Sequence, residues 1–164
     1  MTNPAGVKRQ LIGVYDKALC KPMAEVLGRL GAEHIMIVHS ADGLDEISIA
    51  TETFVAEYKN GAVTEYTLAP EDFLGERQSL DGLDVDDAKQ SLALIIDALG
   101  KQAGPNASKA ADLIALNAGA ALYVAGCAAD INEGVAIAQD AIGSGLARAK
   151  ITDLATFTQV QQDG

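Results

Sequence analysis

The sequence predicts an α/β protein in which a partial parallel sheet is extended by an antiparallel hairpin and flanked by helices. Two apolar runs near the N-terminus enclose a helical pattern, a stretch with a period of two follows, and the second half of the chain has apolar residues at helical spacing. The 164 residues suffice for one hydrophobic core. No linker divides them, so we expect a single α/β domain over residues 1–164.

The first predicted unit is a strand, a helix and a second strand. Residues 10–15 form an apolar run between charged residues, which is typical of a strand covered on both faces. Asp16 then offers an N-cap to a helix whose apolar stripe stops at Gly31. The second strand occupies residues 35–39. Because a helix connects the two strands, we expect them to be parallel, with a right-handed crossover.

A β-hairpin is predicted between residues 53 and 68. Apolar and polar side chains alternate along this stretch, and Asn60-Gly61 lies at its centre. Asn-Gly between two alternating runs is the strongest short hairpin signal, because both residues tolerate a positive φ. We therefore expect an antiparallel addition to the sheet.

The remainder of the chain is predicted to be helical. Apolar residues recur at helical spacing from 85 to 99, and Asp84, Asp86 and Asp87 lie at the start of this stretch, where they favour the positive end of a helix dipole. A helix over 108–126 is apolar nearly all round and rich in Ala, which indicates a central position. Asp130 with Glu133 predicts a capping box for the next helix, and an amphipathic stretch over 146–160 ends the chain.

Composition excludes several kinds of partner. The net charge of −11 argues against nucleic acid, whose phosphates are bound by clustered Lys and Arg. The uncharged stretch 113–129 is short and dominated by small residues, so we expect a core helix and no membrane span. The N-terminus does not have the pattern of a signal peptide, and we expect a cytoplasmic protein. Cys20 and Cys127 are expected to be reduced, buried thiols.

An acidic turn, residues 42–46 with the sequence Asp-Gly-Leu-Asp-Glu, follows the second strand directly. Open α/β sheets bind ligands at the carboxyl ends of their strands. In an irregular turn, Asp45 and Glu46 can face one ligand, and carboxylate oxygens are the ligands that Mg²⁺ prefers. Asp45 and Glu46 are therefore candidate magnesium ligands, and we expect Asp42 to shape the turn through backbone N–H groups.

Two other interpretations of the turn stay open at this point. An acidic turn taken by itself is most often solvated surface. A cluster of His39, Asp42 and Asp45 would suit zinc better than magnesium, although the sequence supplies no convincing further ligand. Asn117, on the predicted buried helix, is expected to hydrogen-bond to backbone groups and not to a substrate.

Three segments resemble the anthranilate phosphoribosyltransferase family: Asn3-Pro4-Ala5-Gly6, residues 33–46 around the acidic turn, and residues 109–126, which read KAADLIALNAGAALYVAG. The resemblance implies a fold of the C-terminal domain type shared by nucleoside phosphorylases and these transferases. It also implies the reaction, in which phosphoribosyl pyrophosphate and anthranilate give N-(5-phosphoribosyl)anthranilate and pyrophosphate in tryptophan biosynthesis. In the family, the carboxylates matching Asp45 and Glu46 help to hold the Mg²⁺ that accompanies phosphoribosyl pyrophosphate.

The resemblance covers only the C-terminal portion of a larger two-domain enzyme. Family members carry a helical N-terminal domain, through which they form homodimers, and a glycine-rich loop for the diphosphate. Neither occurs in this sequence, so no residue here is assigned a catalytic role, and we expect the chain alone to be inactive. The alternatives are an enzyme resembling pyrimidine nucleoside phosphorylases, or a noncatalytic fragment of the fold.

Overall fold

The structure is a computed structural model that describes residues 6–160, so Asn3, Pro4 and Ala5 of the predicted N-terminal motif lie outside the described residues. The strands are β1 (Arg9–Gly13), β2 (His34–Ser40), β3 (Thr53–Lys59) and β4 (Ala62–Leu68). A 3-10 helix, Lys17–Leu19, precedes the α-helices, which are α1 (Cys20–Arg29), α2 (Glu71–Leu74), α3 (Ala88–Ala98), α4 (Ala107–Ala125), α5 (Ile131–Gly143) and α6 (Leu146–Val160). The four strands form one sheet in the order β1-β2-β3-β4.

The parallel unit is confirmed, and β2 is its most buried strand. β1 runs parallel to β2, with Gly13 opposite Val38, and α1 connects them. The side chains of β2 alternate between two cores: Ile35 and Ile37 pack with α1, whereas Met36 and Val38 pack with α4 and α5. Helices therefore cover both faces of the sheet, which explains why β2 is a continuous apolar run.

The hairpin is confirmed, and it extends the sheet on the β2 side. β3 pairs antiparallel with β2 and with β4, and Lys59 lies opposite Ala62 across the turn. Asn60 and Gly61 have φ values of 53° and 82°. Two consecutive positive φ values are the geometry that the Asn-Gly pair favours, and its twist matches that of the flanking strands.

The helical second half is confirmed, with one boundary moved. α3 begins at Ala88 because Asp87 caps it, accepting a hydrogen bond of 2.8 Å from the Gln90 N–H, so Val85 lies before the helix. α5 begins with the predicted capping pair: Asp130 accepts from the Glu133 N–H at 2.9 Å, and the Glu133 carboxylate accepts from the Ala129 N–H at 2.6 Å. None of the described helices is long and apolar enough to cross a membrane.

One expectation about the cysteines is wrong. Cys20 is buried at the start of α1, where desolvation raises the pKa of its thiol, but Cys127 is exposed. The reason is the end of α4, where Gly126 adopts a positive φ of 81° and turns the chain outward. Both thiols are free.

Candidate functional site

The acidic turn lies at the carboxyl end of β2, and residues 41–46 are irregular, as predicted. Gly43 has a φ of 93°, a conformation that other residues rarely adopt, and this lets the chain reverse directly after the strand. Asp45 and Glu46 are exposed. Within residues 6–160 neither carboxylate takes part in an ion pair. Both are therefore available to a ligand from solution.

Asp42 shapes the turn, as expected. Its carboxylate accepts hydrogen bonds from the Ser40 hydroxyl, from the Ser48 hydroxyl at 2.6 Å and from the Leu44 N–H at 3.3 Å. Partial burial raises the pKa of Asp42, but these donated bonds outweigh it, and the pKa is lowered. Ser40 and Ser48 are themselves buried. The Asp42 carboxylate thus stabilises the turn through these hydrogen bonds.

The neighbouring pair has the opposite electrostatics. The pKa of Glu46 is raised, first by desolvation and then by the negative charge of Asp45. Two close carboxylates without a cationic partner repel each other, and a bound cation would relieve that repulsion. The donors are oxygen atoms, which fit Mg²⁺. In the described part of the chain no three His, Cys, Asp or Glu residues gather into a metal cluster, so the pair fits a cation shared with an anionic ligand.

The backbone of the acidic pair is seated between β1 and α4. A Cβ at Gly13 would lie 1.5 Å from the carbonyl oxygen of Asp45, so the absence of a side chain there lets the turn rest on the end of β1. On the other side, the Asn117 side chain hydrogen-bonds to both backbone groups of Ile47, each at 2.9 Å. The expectation that Asn117 would bind backbone is confirmed.

The geometry gives no support to the zinc interpretation. His39 Nδ1 lies 2.8 Å from the carbonyl oxygen of Val14. A carbonyl oxygen only accepts, so Nδ1 donates here, and the part of the chain that the structure describes brings no three His, Cys, Asp or Glu side chains together as a metal cluster. The Asp42 carboxylate is committed to the turn.

Sequence reasoning missed a second polar cluster at the amino end of β2. Glu57, on the α4 face of the sheet, accepts hydrogen bonds from Tyr123 at 2.8 Å and Tyr66 at 2.9 Å, and lies 2.7 Å from His34. Burial raises the pKa of Glu57, but these three partners outweigh it and lower the pKa. His34 is 2% exposed, and it is therefore an interior residue. The sequence did contain one signal for this cluster, because Glu57 lies two residues after Val55 and therefore on the same face of the strand as this buried side chain.

A family model described as glycosyl transferase family, a/b domain, matches residues 1–148. An anthranilate phosphoribosyltransferase from Cellvibrio japonicus is 62% identical over 162 residues, which are 99% of this chain and 47% of the relative. The enzyme of the same name from Marinobacter nauticus is 63% identical over 97% of the chain and 46% of its own length. The chain thus spans about half the length of the curated relatives it matches.

Solved structures share the fold. The anthranilate phosphoribosyltransferase from Thermus thermophilus superposes with a TM-score of 0.74 at 32% identity, covering 90% of this chain and 42% of that one. The Saccharomyces cerevisiae enzyme in complex with PRPP and Mg superposes with a TM-score of 0.68 at 24% identity, covering 82% of this chain and 38% of that one.

Proposed function

The chain belongs to the glycosyl transferase family whose a/b domain it matches, and on that premise we propose that it forms the C-terminal portion of an anthranilate phosphoribosyltransferase. The whole protein would transfer a phosphoribosyl group from phosphoribosyl pyrophosphate to the amine of anthranilate and release pyrophosphate, a step of tryptophan biosynthesis. Identity of 62% to the Cellvibrio japonicus enzyme supports this assignment. We further propose that the whole protein is cytoplasmic and forms a homodimer through a helical N-terminal domain.

The part of this chain in the reaction is to hold Mg²⁺ through Asp45 and Glu46. The observation that carries the proposal is the position of this pair, exposed and without ion-pair partners among the described residues, at the carboxyl end of β2. The yeast enzyme of the same fold is known with PRPP and Mg, which is consistent with the proposal. Bound Mg²⁺ neutralises pyrophosphate oxygens and so stabilises the leaving group.

An acidic chain repels an anionic substrate, and a bound cation would offset this repulsion. The chain has a net charge of −11, and phosphoribosyl pyrophosphate is a polyanion. Two carboxylates by themselves would repel such a substrate, whereas a cation held by Asp45 and Glu46 would attract it. The carboxylates would therefore hold the cation; desolvation and, after it, the charge of Asp45 raise the pKa of Glu46, and a bound cation would offset the repulsion between the two carboxylates.

Metal binding by the chain tests this role. We expect Mn²⁺, a paramagnetic substitute for Mg²⁺, to broaden the amide resonances of residues 42–47 selectively. Asp45→Asn or Glu46→Gln should weaken the apparent Mn²⁺ affinity on the order of tenfold, because each removes a charged ligand.

The chain offers a matched control for these variants. Residues 81–84 repeat the tetrapeptide Asp-Gly-Leu-Asp of residues 42–45, and Asp84 is exposed. Asp84→Asn should leave the broadening unchanged. Equal broadening at both tetrapeptides, or none at 42–47, would contradict the assignment.

The activity itself is tested on the whole protein. We expect turnover with anthranilate and phosphoribosyl pyrophosphate, and none with a pyrimidine nucleoside and phosphate. The reverse result would replace the proposed function with that of a nucleoside phosphorylase.

A further inference from the structure

The side chain of Asn117 makes an unusual set of contacts from the middle of α4. Its Oδ1 accepts from the Ile47 N–H at 2.9 Å, and its Nδ2 donates to the Ile47 carbonyl at 2.9 Å and to the Leu113 carbonyl at 3.0 Å. One amide thus satisfies both backbone groups of one residue, as an adjacent strand would. Ile47 directly follows Glu46 in the chain.

Burial makes this clamp rigid. The side chain of Ile47 is 1% exposed and packs in the same core as Leu116, which neighbours Asn117 on α4. A buried backbone N–H and carbonyl without partners are costly, and the turn has left the β-ladder at this point. The amide of Asn117 is therefore the group that keeps Ile47 in place beneath the turn.

The acidic pair is fixed on its other side as well. The carbonyl of Asp45 rests on Gly13, where an added Cβ would lie 1.5 Å from the carbonyl oxygen. Glu46 is the one residue between this contact and the clamp at Ile47. The contact at Gly13 and the hydrogen bonds from Asn117 hold the backbone on either side of Glu46. They therefore set the directions in which the Asp45 and Glu46 carboxylates project.

We propose that Asn117 is a positioning residue for the cation site: by clamping the backbone of Ile47 it fixes the orientation of the Asp45 and Glu46 carboxylates. The role rests on the proposed function of that pair. Groups that orient metal ligands from behind typically contribute 10- to 100-fold to metal affinity, about the effect expected here. Asn117 itself does not contact the cation or the substrate.

The experiment compares the chain with two variants. Asn117→Ala removes the clamp, whereas Ile142→Ala removes buried volume from a different core, formed by α3, α4 and α5 without residues of the turn. Amide hydrogen exchange is measured at residues 44–48, together with Mn²⁺ affinity from resonance broadening. In Asn117→Ala we expect the Ile47 amide to exchange about tenfold faster or more, and the affinity to fall about 10- to 100-fold. Ile142→Ala should change neither the amide exchange of residues 44–48 nor the Mn²⁺ affinity.

The outcomes separate this inference from the proposed function. Unchanged exchange at Ile47 in Asn117→Ala would overturn the clamp whether or not Mn²⁺ binds. Faster exchange with an unchanged affinity would overturn its role at the cation site. A wild-type chain that binds no Mn²⁺ would remove the proposed cation site, and with it the positioning role of Asn117, while the family assignment would stand and exchange would still decide the clamp. Global unfolding of Asn117→Ala beside a folded Ile142→Ala would show general support of the fold, which also overturns the positioning role.

Discussion

Carboxylates at the two ends of β2 are used in opposite ways. At the carboxyl end, no residue among 6–160 donates a hydrogen bond to the side chain of Asp45 or Glu46, and desolvation and the charge of Asp45 raise the pKa of Glu46. Toward the amino end, Glu57 is surrounded by donors and its pKa is lowered. The Glu57 carboxylate, which has three hydrogen-bonding partners, stabilises the fold. The exposed carboxylates of Asp45 and Glu46 repel each other, and such a pair suits a cation.

The Glu57 carboxylate makes folding stability depend on pH. Because the pKa of Glu57 in the folded chain is below its ordinary value of 4.5, its stabilising effect is present above that value and is lost as the pH falls through the folded pKa. Glu57→Gln should lower the free energy of unfolding by about 1–3 kcal/mol at neutral pH, since it leaves buried donors poorly paired. Urea unfolding between about pH 7 and pH 3 should show that the difference in the free energy of unfolding between the wild type and Glu57→Gln becomes smaller at acidic pH.

Glu65→Gln is the matched control for this measurement. Glu65 pairs with Lys21 at 2.9 Å, but both side chains are more than half exposed, at 55% and 54%. An exposed pair contributes little, so this variant should unfold nearly like the wild type. An equal loss in both variants, or a difference for Glu57→Gln that does not change with pH, would contradict this role of Glu57.

At the scale of elements, the closest packing in the helical layer is between α4 and α5. A Cβ added at Gly119 would lie 2.5 Å from the backbone nitrogen of Val135, and one added at Gly134 would lie 2.2 Å from the carbonyl oxygen of Gly119. These atoms are backbone and cannot swing aside. The two glycines therefore set the distance between the helices, which explains why α4 is rich in small residues.

Gly119→Ala tests this contact. Alanine is the better helix former by about 0.8–1 kcal/mol, but the clash with α5 should outweigh that gain and destabilise the chain by about 1–3 kcal/mol. Thermal and urea unfolding measure the difference. Gly143→Ala is the control, because a Cβ there meets nothing within 4 Å. Stabilisation of both variants would mean that α4 and α5 can separate freely.

At the scale of the whole molecule, the proposed site is one part of what the proposed reaction would need. The chain spans about half the length of its curated relatives, and its described residues offer one carboxylate pair and no cluster of three metal-binding side chains. A polyanionic substrate needs several donors and cations around it. We therefore expect the proposed cation-holding pair to act together with other parts of the whole protein.

Activity of the isolated chain tests that view. We expect no formation of phosphoribosylanthranilate above background by the 164 residues alone, with the whole protein as the positive control. Turnover that copurifies with the chain and is lost in Asp45→Asn would show that this portion suffices.

Much of the architecture could be predicted from local patterns. The Asn60-Gly61 turn, the capping pair Asp130 and Glu133 and the apolar run of β2 each act over a few residues, so their sequence signals are direct. The same is true of the irregular acidic turn with Gly43. By contrast, the exposure of Cys127 depends on how the chain leaves α4, and the periodic pattern did not contain that information.

The sequence by itself determined which segments are strands and helices, where they turn, and which two carboxylates stand together after β2. Only the tertiary structure decided what supports them. Asn117 lies 70 residues from Ile47 along the chain, and Glu57 lies 23 residues from His34 and 66 from Tyr123. Periodicity and turn chemistry act between near neighbours, whereas these contacts exist only because packing the helices on the sheet brings distant side chains together.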